Sequence, residues 1–250
     1  MLADSAVAVV DALGFKGIWK RYEPDKLLSL LESLRQTTDE WITFGNEQLH
    51  KEVRVTTALF SDTLVLTATR PDSSTATDSD LLRILAKSVL KLTTFALTTE
   101  IPIAYRGAMS FGQLVANDRF FIGPAIDEAA EWAEAADAAI VWLCPSAYEA
   151  FGTPKPGTHD ELYFVPWAVP IKGVGPFVTY ALNTMVHARY PNCFQVGEWD
   201  EVSVLRQGAL ARFNDAADIR VAVKKQNTIR FLNAAEEHSR RWYTEYSPRK

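Results

Sequence analysis

Only two of the 250 residues are cysteine, Cys144 and Cys193. So few exclude a disulfide framework, and their separation fits no zinc spacing, so a reduced, cytoplasmic setting is the simpler expectation. Histidine is nearly as scarce: His50, His159, His187 and His238 stand far apart and share no metal-ligand spacing. No apolar run reaches the roughly 18–20 residues a membrane helix needs, so no membrane insertion is expected. The stretch up to Phe15 lacks a basic start and a cleavage site, and it carries Asp4 and Asp11; it reads as a first core strand rather than a signal peptide. Positive charge is not in excess either. Lys and Arg number 26 against 31 Asp and Glu, for a net charge of −5 and a pI of about 5.5. That excludes a broad basic face, and with it nucleic acid as an expected partner. No internal repeat or low-complexity tract is present.

What the chain does have is apolar material, 48% of its residues, enough for one sizeable core. Ala6–Val10 is short and β-rich, as a buried central strand should be. Pro24 opens a helical pattern with Leu27, Leu28, Leu30, Leu31 and Leu34 on one side. Glu52–Phe60 and Thr63–Thr69 read as strands separated only by Ser61-Asp62, a tight hairpin. After a loop over Arg70–Asp80, Leu81–Leu97 is helical. Ile101–Gly112 is a strand, with Leu114–Ile122 as its expected hairpin partner. Gly123-Pro124 starts a helix running to about Ala136, since proline fits the first helical turn. Ala138–Leu143 is a strand and Phe151–Asp160 a loop. Tyr163–Lys172 and Phe177–Leu182 are further apolar runs on either side of Gly173-Val-Gly175, and the chain from about Asp200 to Tyr243 is helical. This order predicts an α+β domain, with helices on one face of a mostly antiparallel sheet and a helical tail.

Two acids stand where strands stop. Asp11 closes Ala8-Val-Val-Asp11, and Asp62 lies between two apolar runs. Adjacent strands could bring such a pair together on divalent metals. Gly14, just after Asp11, would relax the backbone so that N–H groups can cradle phosphate. The plainer alternatives are that Asp11 caps the next helix and that Asp62 is turn chemistry. Arg106 and Lys172 likewise read alone as surface cations at a strand start and in a turn. Ser61 and Ser110 lack a His–Asp context, Gly173-Val-Gly175 is too short for a dinucleotide fingerprint, and the seven tryptophans suit packing better than ligand stacking.

Five blocks, taken together and in order, resemble the class III nucleotidyl cyclase catalytic domain. They are Asp11-Ala-Leu-Gly-Phe15, Phe60-Ser-Asp62, Arg106-Gly-Ala-Met-Ser-Phe-Gly112, Gly123-Pro-Ala-Ile-Asp-Glu-Ala-Ala-Glu131 and Ile171-Lys-Gly-Val-Gly175. The form of the third and fourth blocks is most similar to the bacterial pyrimidine (uridylate or cytidylate) cyclases of the Pycsar antiphage defence system. The resemblance implies a ferredoxin-like cyclase fold over residues 1–183 and a mostly helical extension over 184–250. It implies two divalent ions, Mn²⁺ or Mg²⁺, held by Asp11, Asp62 and the Ala12 carbonyl. It places phosphates on the N–H groups of Leu13, Gly14 and Phe15 and on the side chains of Arg106 and Lys172. It further implies UTP or CTP as substrate and a homodimer with active sites at its interface, where the lysine reaches the partner's substrate. The product would act on a separate cyclic-nucleotide-responsive effector.

The chain departs from the purine-using members. Ala58 stands where ATP users carry a lysine, and Phe120 where they carry an aspartate, so Thr56, Ala58 and Phe120 could line a different base pocket or simply fill the sheet. Asp127 and Glu131 stand at the helix positions where the family carries a catalytic asparagine and arginine. Arg54 or Arg119 could supply the missing cation. The alternatives that stay open are a purine cyclase and a degenerate cyclase-like module that binds nucleotide or protein without chemistry.

Overall fold

The computed structural model describes residues 3–48, 53–117, 120–186, 201–211, 213 and 218–246. Arg119, His50, His187 and Cys193 therefore lie outside the described residues.

Strand β1 (Ala3–Ala12) lies inside the sheet, with a strand paired on each side. Helix α1 (Pro24–Gln48) follows, with proline at its start. The hairpin β2 (Arg54–Phe60) and β3 (Thr63–Thr69) turns on Ser61-Asp62. Ser61 takes a left-handed φ of 58°, which a two-residue hairpin turn requires of its first residue. Helix α2 (Asp78–Thr98) begins at a capping box, in which Thr77 and Asp80 satisfy each other's backbone N–H groups. Strand β4 (Tyr105–Ala116) then runs the full length of β1 in the middle of the sheet, with β5 (Phe121–Ile122) paired to its end. After α3 (Pro124–Ala133) come β6 (Val141–Leu143), α4 (Pro145–Phe151), α5 (His159–Tyr163) and the hairpin β7 (Phe164–Ile171) and β8 (Gly175–Leu182). The tail forms α6 (Glu201–Leu210) and α7 (Ile219–Tyr246). Sheet order is β2-β3-β1-β4-β6-β8-β7, with β5 off this path beside β4.

The α+β class and the helical tail stand as expected, but the packing is two-sided. Successive side chains of β1 point to opposite faces. Ala6, Ala8 and Val10 are buried with Leu82, Leu85, Ala86 and Val89 of α2. Val7 and Val9 are buried with Ala125, Ala129 and Ala133 of α3. The expectation of helices on one face is thus corrected: an uninterrupted apolar strand is one that needs cover on both sides.

Four boundaries also differ. β4 runs on through Gly112, which pairs with Ser5, and the turn comes later, where Asn117 and Phe120 bond each other; the hairpin partner therefore shrinks to two residues. α3 stops at Ala133. β6 is short and runs parallel to β4, with Gly107 opposite Val141, because α3 acts as the crossover between them. The segment expected as loop contains the end of α4 and the start of α5, helices too short to show a period.

Helix α7 lies against β7, with Trp167 and Phe231 ring centroids 5.6 Å apart. It also holds the segment leading into β6. Ala139 N–H donates to Thr228 Oγ1 at 2.9 Å, and Asn227 Nδ2 donates to the Asp137 carbonyl at 3.0 Å. Among the described residues, no helix is long and apolar enough to cross a membrane.

Candidate active site

Antiparallel pairing puts Asp11 at the end of β1 between Thr63 of β3 and Arg106 of β4. The β2–β3 turn is fastened to the same end, because Ala12 N–H donates to the Asp62 carbonyl at 3.0 Å. The two aspartates expected to meet therefore do meet, close enough for the Asp62 charge to act on Asp11.

The Asp11 carboxyl is raised above the ordinary carboxylate range. Burial is the main cause, opposed by the hydrogen bond and charge of Arg106 and reinforced by the charges of Glu134 and Asp62. Arg106 is itself almost fully buried, with 8% of its side chain exposed. Its Nε and Nη2 both reach Asp11 Oδ2, at 3.3 and 3.1 Å. Its Nη1 donates to the Glu134 carbonyl at 3.0 Å and its Nη2 to Glu134 Oε2 at 3.0 Å. Lys172 Nζ donates to that same Glu134 carbonyl. Partial burial, then the charges of Arg106 and Lys224, hold the Lys172 ammonium below its usual range. Tyr105, beneath the pair, has its hydroxyl pushed up by burial and by the charges of Asp62 and Asp11.

Asp11, Asp62, Arg106 and Lys172 are thus brought to one place within a single chain. The resemblance implied a lysine serving the partner's substrate; here its ammonium stands beside its own Arg106. The Leu13 N–H is already given to the Ala104 carbonyl at 2.8 Å, so it is not available to a phosphate as expected, which leaves Gly14 and Phe15 of that turn. Gly14 has the left-handed φ of 68° that lets the chain turn away from β1.

The three base-pocket candidates divide. Ala58 pairs with Val65, which pairs with Val9; Thr56 pairs with Thr67, which pairs with Val7. Both therefore lie on the Asp11 face, and Thr56 Oγ1 shares a hydrogen bond of 2.7 Å with Thr67 Oγ1. Phe120, 65% exposed, sits beyond Ala116, whereas Arg106 is the second residue of β4. Ten residues of strand, roughly 30 Å, separate those ends, so one chain does not bring Phe120 to its own Asp11. Arg54 is likewise at the far end of β2 from the Asp62 turn and does not join the cluster. Asp127 and Glu131 are exposed on α3.

Glu134 escaped the sequence reading. It follows the last residue of α3 and matches no quoted block; the one available signal was its place in an acidic run along that helix.

The donor chemistry suits a hard divalent ion: two carboxylates, backbone oxygens and no sulfur or imidazole. Among the described residues no third His, Cys, Asp or Glu completes a protein-only metal cluster. Magnesium commonly binds in this way, through one or two carboxylates with water and substrate phosphate filling the shell.

No family model matches the chain, and no curated protein matches it. Solved structures do. The guanylate cyclase domain of RhGC from Catenaria anguillulae, in complex with GTP, is 16% identical with a TM-score of 0.53, over 72% of this chain and 96% of that one. The dimeric guanylyl cyclase domain of the RhoGC fusion protein from Blastocladiella emersonii is 15% identical with a TM-score of 0.54, over 72% and 96%. The adenylyl cyclase CyaB from P. aeruginosa is 14% identical with a TM-score of 0.50, over 73% and 94%. The chain has the fold of the class III cyclase catalytic domains.

Proposed function

We propose that this protein is a nucleotidyl cyclase acting on a pyrimidine triphosphate, UTP in preference to CTP. The observation that carries the reading is the meeting of Asp11 and Asp62 at one sheet end, with Arg106 in register beside Asp11, on a cyclase fold. Asp11, Asp62 and the Ala12 carbonyl would hold two divalent ions, Mn²⁺ or Mg²⁺. When bound, such ions acidify the ribose 3′-hydroxyl and offset triphosphate charge.

Arg106 and Lys172 act on the phosphates. As the 3′-oxygen attacks the α-phosphorus and pyrophosphate leaves, charge builds on the phosphate oxygens, and a buried cation such as Arg106 stabilises it more than the exposed Lys172 does. Gly14 and Phe15 offer backbone N–H groups to the same oxygens. Thr56, Ala58 and Phe120 form the base pocket; none of them is charged, which disfavours the acid–base pairing used to read purines. Because Phe120 lies at the far end of β4 from Arg106, the Phe120 that completes the pocket beside a given pair of metal acids comes from the partner chain, and the working unit is a homodimer. Residues 1–183 form the catalytic domain, and 184–250 an extension packed on it. The product, cyclic UMP, would activate a separate effector in antiphage defence.

The test is to incubate purified protein with Mn²⁺ and each of ATP, GTP, CTP and UTP, and to identify products by mass. A cyclic pyrimidine nucleotide, lost in Asp62→Ala, is expected; clear preference for ATP or GTP would overturn the pyrimidine reading. A second reading, a binding module without chemistry, is favoured by one observation: Glu131 is an exposed acid at the helix position where the family carries an arginine. Nucleotide binding that persists unchanged in Asp62→Ala, with no product from any triphosphate, would support it.

A further inference from the structure

Arg106 has acceptors of unequal permanence. Asp11 is placed by strand register. The Glu134 carbonyl is placed by a fixed backbone: Ala135 accepts from Lys172 N–H at 3.0 Å, Asp137 N–H donates to the Pro170 carbonyl at 2.8 Å, and Ala136 bridges Ile171. The Glu134 carboxylate alone hangs on a free side chain. It is 71% exposed, whereas the guanidinium that it touches is 8% exposed. It can therefore leave without any movement of the main chain.

We propose that the Glu134 carboxylate is a built-in competitor for phosphate at Arg106, holding the guanidinium until a polyphosphate displaces it. The inference rests on the reading of Arg106 as a phosphate ligand. Its Oε2 stands 3.0 Å from Nη2, the position and distance that a phosphate oxygen takes on an arginine. The two anions cannot both use that edge, and each repels the other. The local charges sharpen the contest, since the Glu134 charge, like that of Asp62, already acts on Asp11, and an incoming polyphosphate meets the same like charges. Glu134 thereby sets how much polyphosphate is needed to fill the site, and in the meantime it occupies the guanidinium edge that Asp11 leaves open.

The experiment is calorimetric titration of Mg²⁺-tripolyphosphate, which needs no turnover, into wild type, Glu134→Gln, Glu134→Ala and Arg106→Gln. Both Glu134 variants are expected to bind more tightly, by about two- to fivefold, as the loss of one exposed charge interaction implies. The gain should shrink as salt is raised. A residue with a merely structural role would shift affinity the other way. Equal or weaker binding in the Glu134 variants, with Arg106→Gln still weakened, overturns the competitor and leaves the phosphate site standing. Arg106→Gln binding as wild type does, or no binding by wild type at millimolar ligand, overturns both.

Discussion

Asp11 and Arg106 face each other across β1 and β4, and both Nε and Nη2 of the guanidinium converge on one carboxylate oxygen, Asp11 Oδ2. The acid's charge is nonetheless a liability in the absence of a metal ion, because burial outweighs the help from Arg106.

The sign of the pH effect follows. A carboxyl whose pKa is raised on folding binds protons more readily in the native state, so stability falls as pH rises from the ordinary value of 3.8 through the folded value. Asp11→Asn, which keeps an acceptor for Arg106, should therefore melt higher than wild type at neutral pH without metal, and the gain should vanish at pH 3. Added Mn²⁺ should stabilise wild type and not the variant. Thermal melts over pH, with and without Mn²⁺, check both; a variant that melts lower at neutral pH would refute the argument.

Gly107, next to Arg106, has no room for a side chain. A Cβ there would collide with the Val9 carbonyl oxygen and lie 2.6 Å from Val10 Cγ1. Gly107→Ala should cost about 3 kcal/mol or more, because the obstruction is the backbone of the neighbouring strand rather than a movable side chain. Urea unfolding measures it, and loss of tripolyphosphate affinity should accompany it as Arg106 is pushed aside.

Arg83 ties α2 to α5 through two bonds to Asp160, Nε to Oδ1 at 2.6 Å and Nη2 to Oδ2 at 2.8 Å. Both side chains are partly sheltered. Arg83→Ala is expected to lower stability by about 1.5–3 kcal/mol, the range for hydrogen bonds to charged groups. Turnover per folded molecule should not change, since the pair lies outside the Asp11 cluster.

Thr228→Val keeps the shape of the side chain but strips the acceptor from the Ala139 N–H. An unsatisfied buried donor costs about 1–3 kcal/mol. Chemical denaturation should show that loss, and hydrogen exchange at Ala139 should quicken.

Much of this was legible in the chain. The strand that ends at Asp11, the hairpin that turns at Asp62, and the helix after Gly123-Pro124 are local signals: apolar runs, turn residues and a helix start. What stayed hidden depends on partners far away in sequence. That Arg106 lands opposite Asp11 is a matter of register between strands about a hundred residues apart, and residues 101–112 gave no sign of where pairing begins. The two-sided cover of β1 and the parallel β4–β6 pair are fixed by where α3 docks. Glu134 was invisible because its role comes from the way the chain leaves α3, and no periodicity records that.

The clamp from α7 has a consequence for how the protein is made. Asn227 and Thr228 reach back about ninety residues to Asp137 and Ala139, so a ribosome will have released both strands that carry Asp11 and Arg106 long before the Asp137 carbonyl and the Ala139 N–H can meet these partners. The nascent chain passes through a stage with the 134–140 stretch held by Gly107 and by Pro170–Lys172 alone, without its α7 bonds, and closing so long a loop makes their formation the late step of maturation.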